Sequence, residues 1–136
     1  MNAEQAPAPL LEADERSAPF FAAAARGRLL LQRCEGCGAW HFPLRRRSPR
    51  SGGTRLAFAE ASGRGVVHSH ARTHRAPHPA LRGRLPLELV AVDLEEGVRV
   101  MARLAAGAPA VRAGTPVRVV FEPVGEGLAL PVFQPV

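Results

Sequence analysis

The 136-residue sequence contains no lysine and no tyrosine, one tryptophan and two cysteines. The two cysteines, Cys34 and Cys37, are too close in sequence for a structural disulfide framework and are typical of a reduced cytosolic knuckle. No window approaches the ~20 consecutive apolar residues of a membrane span, and the N-terminus lacks the basic-then-apolar pattern of a signal peptide. We therefore expect a cytoplasmic protein without a membrane partner.

The charge of the chain comes from arginine alone. All eighteen basic residues are Arg, which is typical of codon use in a GC-rich genome and weakens arginine abundance as a sign of phosphate binding. Residues 1–16 carry a charge of −3, so the remainder carries +9. A basic body can attract nucleic acid, phosphorylated cofactors or an acidic protein, and a solvated Arg-rich surface explains it equally well.

The first 33 residues divide into two segments. Residues 1–16 are rich in Ala, Pro and acid, and we predict a disordered acidic tail. Within residues 17–33, Ser17 is the predicted N-cap of a two-turn helix that ends at Gly27, and a lead-in strand follows. Two adjacent aromatic residues, Phe20 and Phe21, would either cover the core of this chain or anchor a partner.

Residues 34–55 have the outline of a zinc ribbon with half of its ligands replaced. Cys34 and Cys37 form a C-x-x-C knuckle, which lets two thiolates converge on one tetrahedral ion. A second knuckle belongs ten to twenty residues further on, and Ser48 and Ser51 occupy its ligand positions. A serine hydroxyl stays protonated near neutral pH, whereas a metal ligand must be deprotonated. We predict a ribbon that has lost its zinc, although His41 leaves a weak three-ligand site open.

Residues 56–136 are predicted to be all-β. Five short apolar runs alternate with glycine-containing turns, and a five-stranded barrel of the OB-fold type is the common solution for such a segment. The predicted fold class is thus mainly β, with a short N-terminal helix, a degenerate rubredoxin-like zinc ribbon and an OB-fold barrel.

Catalytic motifs are scarce. The chain has no G-x-S-x-G elbow, no H-E-x-x-H helix and no phosphate-binding glycine loop. His68 and His70 would share one face of a strand, and solvent exposure is a simpler explanation for them than a metal site, because no carboxylate has a supporting spacing. We assign no catalytic residue and expect no enzyme activity of the chain by itself.

From residue 17 onward, the chain contains an ordered set of segments: Pro19–Phe21, Arg28–Cys34, Cys37–Gly38, Phe42–Pro43, Ser48–Gly52, Gly63–Ser69, Val92–Gly97 and Gly114–Val117. Together these segments resemble the domain-of-unknown-function family built from a rubredoxin-like zinc ribbon and an acyl-CoA-associated OB-fold. The sequence departs from the family pattern at Ser48, Ser51 and His70.

The resemblance implies an accessory subunit that joins a thiolase-like catalytic partner (a thiolase, acyltransferase, aldolase or hydratase) in a hetero-oligomer. It would help form a channel for an acyl-CoA or acyl carrier protein, with a CoA thioester as the ligand of the complex, in lipid or polyketide metabolism. Phe20 and Phe21 would then bind the partner. Four arginines predicted in one long loop are the candidate phosphate ligands: Arg72, Arg75, Arg82 and Arg84.

The alternative function is that of an OB-fold that binds single-stranded nucleic acid. Such proteins stack bases on aromatic side chains. The predicted barrel offers only Phe58, Phe121 and Phe133, and two of these lie near strand ends, where we interpret them as core residues. We therefore consider nucleic acid the weaker candidate.

Overall fold

The computed structural model describes residues 11–125 and 127–136. Its one described α-helix, α1, covers Ala18–Ala25. A 3₁₀ helix, Pro79–Arg84, separates the fourth and fifth strands. The strands are β1 (Leu30–Cys34), β2 (Trp40–His41), β3 (Leu56–Glu60), β4 (Arg64–Thr73), β5 (Leu87–Leu94), β6 (Arg99–Arg103), β7 (Pro116–Gly125) and β8 (Leu128–Pro135).

Helix α1 forms where the sequence predicts it but is capped differently. Ser17 occupies the N-cap position, yet its hydroxyl accepts no hydrogen bond from the helix. Instead the Ser17 hydroxyl donates to Oδ1 of Asp14 at 2.8 Å, and the same oxygen accepts the Ser17 N–H at 2.8 Å. Ser17 thus holds the predicted N-cap position, but without a side-chain bond to the helix. Residues 1–10 of the predicted tail lie outside the described residues.

The first three strands form an antiparallel sheet in the order β2-β1-β3, which we call the ribbon. Strand β3 pairs with β1 from Leu30–Glu60 to Cys34–Leu56. Phe58 therefore belongs to the ribbon rather than to the barrel. The predicted domain boundary between residues 55 and 56 stays a prediction.

The remaining five strands form an antiparallel sheet in the order β6-β5-β4-β7-β8. A parallel bridge between Leu104 and Phe133 joins its two edges, and the Ala105 N–H donates to the Phe133 carbonyl at 2.7 Å. This closure makes the sheet a five-stranded OB-type barrel. The predicted fold class, a mainly β chain with a short helix, a ribbon and an OB-fold, is confirmed.

One apolar cluster connects the two sheets. Leu29 and Leu31 of the ribbon segment pack with barrel residues such as Val92 and Val100, and Phe20 of α1 packs against the same cluster. Helix α1 lies mainly on β8. Within the described residues, no helix combines the length and apolar character needed to cross a membrane.

Candidate functional site

Two turns in the ribbon have the same backbone geometry. In the cysteine knuckle (residues 34–39), the Cys34 N–H donates to the Ala39 carbonyl at 2.8 Å, and the Gly38 N–H donates to the Cys34 carbonyl at 2.7 Å. In the serine knuckle (residues 48–53), the equivalent bonds from Ser48 to Gly53 and from Gly52 to Ser48 are both 2.8 Å. The serine knuckle thus keeps the backbone of a metal-binding turn.

The side chains of the two knuckles face each other in pairs. Cys34 Sγ lies 3.5 Å from Ser51 Oγ, and Cys37 Sγ lies 3.7 Å from Ser48 Oγ. Four sulfur ligands ~2.3 Å from a tetrahedral zinc ion would lie about 3.8 Å apart. Both distances between the knuckles are therefore close to the edge of such a tetrahedron.

The electrostatics of this cluster favour a thiolate and a neutral imidazole. The pKa of the Cys34 thiol falls to about 6, chiefly because of its hydrogen bond with the Cys37 side chain and then that with Ser51. Burial lowers the pKa of His41, and the charges of Arg45 and Arg50 add to the effect. His41 Nε2 lies 3.0 Å from Ser48 Oγ. Because a neutral His41 can accept at Nε2, the Ser48 hydroxyl has a natural acceptor there.

The donor set does not fit the zinc ion that a ribbon of this shape implies. Two of its four corners are hydroxyl oxygens, which do not lose their protons to the metal as thiols do. His41 stands beside Ser48 at hydrogen-bond distance. Across residues 11–125 and 127–136, no three side chains of His, Cys, Asp or Glu converge on one point. The predicted three-ligand alternative with His41 is therefore not formed by this geometry.

An apolar groove lies where the helix, the ribbon and the barrel meet. Its volume is about 370 Å³, and its floor includes the buried residues Val90 and Val132. Met101 on the edge strand β6 is 70% exposed beside it. The other apolar residues of the groove include Phe20, Phe42, Leu89, Leu130 and Pro131.

The two aromatic residues predicted to bind a partner differ in their surroundings. Phe20 packs against the core and also lines the apolar groove. Phe21 is half-buried, and its ring stands edge-on to that of Phe20 with centroids 5.3 Å apart. Phe20 thus covers the core and lines an exposed groove, and the partner-binding role of the pair stays a prediction.

The four arginines predicted as phosphate ligands lie in two kinds of environment. Arg72 is on β4 rather than in the predicted loop, and it pairs with Glu88. Arg84 pairs with Glu122 at 3.0 Å. The guanidinium groups of Arg75 and Arg82 form no ion pair with any described residue. Arg75 lines a cavity of about 630 Å³ together with Leu81, Leu87, Leu89 and Arg103.

The predicted histidines and barrel aromatics lie in different environments. His68 and His70 are both exposed, as predicted, and His68 Nδ1 lies 3.4 Å from Asp93 Oδ2 on the neighbouring strand. Phe133 is completely buried, and Phe121 packs half-buried on the core. The described barrel surface therefore has no aromatic platform of the kind that single-stranded nucleic acid requires.

The ribbon and barrel together define a class of protein in which a zinc-ribbon hairpin precedes an OB-fold. Residues 21–56 match the family "ChsH2, rubredoxin-like zinc ribbon domain", and residues 59–122 match "ChsH2, C-terminal OB-fold domain". A solved structure described as "Ltp2-ChsH2(DUF35) aldolase" is similar at a TM-score of 0.78 and 33% identity, over 93% of this chain and 98% of that chain. The chain belongs to the ChsH2 (DUF35) family, which confirms the resemblance.

A curated relative from Thermomonospora curvata is described as "Probable enoyl-CoA hydratase alpha subunit". It is 35% identical over 130 residues, which are 95% of this chain. The chain spans about 40% of the length of that relative. Both similar proteins are thus described by an enzyme name, one as an aldolase and one as a hydratase subunit.

Proposed function

We propose that this chain is a non-catalytic accessory subunit that binds a catalytic partner and helps form its channel for acyl-CoA or an acyl carrier protein. The observation that carries the proposal is the match over 98% of a ChsH2 chain whose structure is described as an aldolase. The partner would be a thiolase-like protein with aldolase, acyltransferase or hydratase activity.

The apolar groove supports a protein partner as its occupant. Exposed apolar side chains that gather around a buried floor are typical of interface centres. Met101 and Leu89 are 70% and 39% exposed, and both lie on this groove. Its position on β5, β6 and β8 beside Phe20 would let one partner surface contact the barrel and α1 together.

The neighbouring cavity supports an acyl ligand. It shares Leu89 and Arg103 with the groove, so apolar side chains continue from one to the other. Arg75 stands at this cavity, and the body beyond residue 16 carries +9. An apolar path with arginine beside it suits a thioester that has an acyl tail and phosphates. In this arrangement Arg75 and Arg82 would contact the phosphates, while Arg72 and Arg84 pair with Glu88 and Glu122.

Docking is tested by coexpression with the thiolase-like, aldolase or hydratase protein encoded beside this chain. We expect a stable hetero-oligomer in size-exclusion chromatography with light scattering. Met101→Glu should weaken the complex by about tenfold or more, because it places a charge in the interface centre. The matched control is Val66→Glu, which changes a residue that is 44% exposed and does not line the groove. A monomer that never binds, or a partner whose activity is indifferent to the chain, contradicts the proposal.

The channel is tested in the assembled complex with a CoA thioester substrate. Replacing Arg75 and Arg82 by Ala should raise KM by about tenfold, because hydrogen bonds to charged groups are lost. Arg26→Ala and Arg112→Ala change exposed arginines elsewhere and should leave KM unchanged. If KM is unaltered in the Arg75/Arg82 variant and the complex is intact, the proposed phosphate contacts are wrong. The proposed docking of the subunit is not affected by that result.

A further inference from the structure

The ribbon presents a contrast between its backbone and its side chains. Its backbone keeps both turns of a zinc ribbon, with Gly38 and Gly52 at nearly identical φ values of 72° and 73°. The hydrogen bond from the fourth residue of each turn back to the side chain of the first residue is also kept. The Cys37 N–H donates to Cys34 Sγ at 3.3 Å, and the Ser51 N–H donates to Ser48 Oγ at 3.4 Å.

Ser48 is the centre of a hydrogen-bonded cluster at the former metal position. Its side chain is buried, with 1% of the residue exposed. The hydroxyl oxygen accepts from the N–H groups of Arg50 and Ser51 at 3.2 and 3.4 Å, and it lies 3.0 Å from His41 Nε2. One side chain thereby connects the serine knuckle to β2, where His41 lies.

The second serine connects the knuckles to each other. Ser51 Oγ accepts the Gly53 N–H at 3.2 Å and lies 3.5 Å from Cys34 Sγ. Every buried side-chain nitrogen and oxygen of the described residues has a hydrogen-bond partner. A hydrogen-bonded centre of this kind needs no ion to satisfy its polar groups.

We propose that the ribbon is a metal-independent element in which the Ser48–His41 and Ser51–Cys34 contacts replace the bonds to zinc. We infer further that the two side chains at positions 48 and 51 are all that separates this ribbon from a four-thiolate zinc site. The distances between the knuckles, 3.5 and 3.7 Å, already match the edge of a zinc–thiolate tetrahedron. This inference is independent of the proposed partner, because it concerns the folding of the chain alone.

The test compares the wild-type chain with Ser48→Cys/Ser51→Cys. Both are purified under reducing conditions from zinc-supplemented cells, without a metal-affinity step, and their zinc is measured by mass spectrometry. We expect no stoichiometric zinc in the wild type and about one ion per chain in the double variant. The matched control is Ser69→Cys/Ala110→Cys, which adds two cysteines at exposed positions outside the ribbon and should remain without zinc.

Thermal unfolding with and without EDTA supplies a second readout. The Tm of the wild type should not respond to the chelator, whereas that of the double variant should fall. One zinc ion per wild-type chain, or a wild-type Tm that falls with EDTA, overturns the proposal. A folded double variant without zinc refutes the claim that two side chains make the difference. If the double variant does not fold, the zinc content and EDTA response of the wild type still decide whether the ribbon is metal-independent.

Discussion

The ribbon and the barrel are stabilised by different interiors. The barrel interior is apolar: Val67, Val92, Val100 and Phe133 are each at most 2% exposed. All three buried polar residues found among the described residues, Gln32, His41 and Ser48, lie in the ribbon segment. A small ribbon cannot enclose many apolar side chains, so its turns must be fixed by a few directional contacts. The barrel instead depends on close packing spread over many residues.

Gln32 illustrates how the ribbon uses such contacts. Its side-chain carbonyl accepts the Arg45 N–H at 2.7 Å, and its amide donates to the Arg45 carbonyl at 3.1 Å. This pair fixes the segment between β2 and the serine knuckle to β1. One side chain thus holds this segment in place through two hydrogen bonds, whereas the barrel relies on the packing of several residues.

The largest loss of stability should come from truncating the buried aromatic side chain at the centre of the barrel. Phe133→Ala should lower the free energy of unfolding by about 3–5 kcal/mol, because it leaves a cavity in a closed apolar core. Urea unfolding followed by far-UV circular dichroism measures the loss. Val66→Ala is the matched control, since Val66 is 44% exposed on the same barrel. A loss for Phe133→Ala no greater than for the control would mean that the barrel interior is not tightly packed.

A pair of glycines tests packing in the two regions with backbone conformation held constant. Gly63 at the barrel entrance and Gly52 in the serine knuckle both have φ 73°. Either change to Ala should cost about 1–2 kcal/mol because of the left-handed backbone. A methyl group at Gly63 would also overlap Cγ1 of Val119, while Gly52 faces open space. Gly63→Ala should therefore cost about 1–3 kcal/mol more in chemical unfolding, and equal losses would contradict this difference.

Ser48→Ala measures the contribution of the polar centre of the ribbon. The change leaves His41 and two backbone N–H groups without their partner, and we expect a loss of about 1–3 kcal/mol in thermal or urea unfolding. Ser51→Ala is the matched control, because Ser51 is exposed and should cost less. If Ser51→Ala costs as much as Ser48→Ala, the burial of Ser48 is not what gives it importance.

The sequence predicted the barrel better than the contacts between segments, and the reason is physical. Turn glycines and apolar runs are local signals, so the positions of β5 and β8 could be predicted from them. Strand β4 continues to Thr73 through polar residues such as His70, and no apolar alternation marks that part. Arg72 was consequently predicted in a loop. This part of the strand forms because it pairs with β5, where Ala71 and Arg72 lie opposite Leu89 and Glu88. Such pairing leaves no local signal in the sequence.

The candidate site shows the same limit. The C-x-x-C spacing and the two serines predicted the facing knuckles, because a turn motif fixes its own local geometry. The partner of Ser48, by contrast, is a histidine seven residues away on β2. The groove depends on residues from α1, β5, β6 and β8, and their meeting is a property of the closed barrel.

The smallest loss of stability should come from breaking an ion pair on the barrel surface. The Arg99 guanidinium donates to Asp93 and holds the pKa of that carboxyl below its usual value, with His68 adding to the effect. Both side chains are 40–50% exposed, so Arg99→Ala should cost less than about 1 kcal/mol. Because the folded-state pKa is lowered, this contribution is present above the unfolded pKa of about 3.9 and is lost as the pH falls through the folded value.

The difference between wild type and Arg99→Ala should accordingly be present at neutral pH and disappear in acid. Urea unfolding at several pH values and an NMR titration of the Asp93 carboxyl measure the two parts of this prediction. Arg112→Ala, an exposed arginine without an ion pair to any described residue, is the control. A loss above about 2 kcal/mol would place this surface pair on a level with the buried polar centre of the ribbon. The contrast between a ribbon fixed by directional contacts and a barrel fixed by packing would then fail.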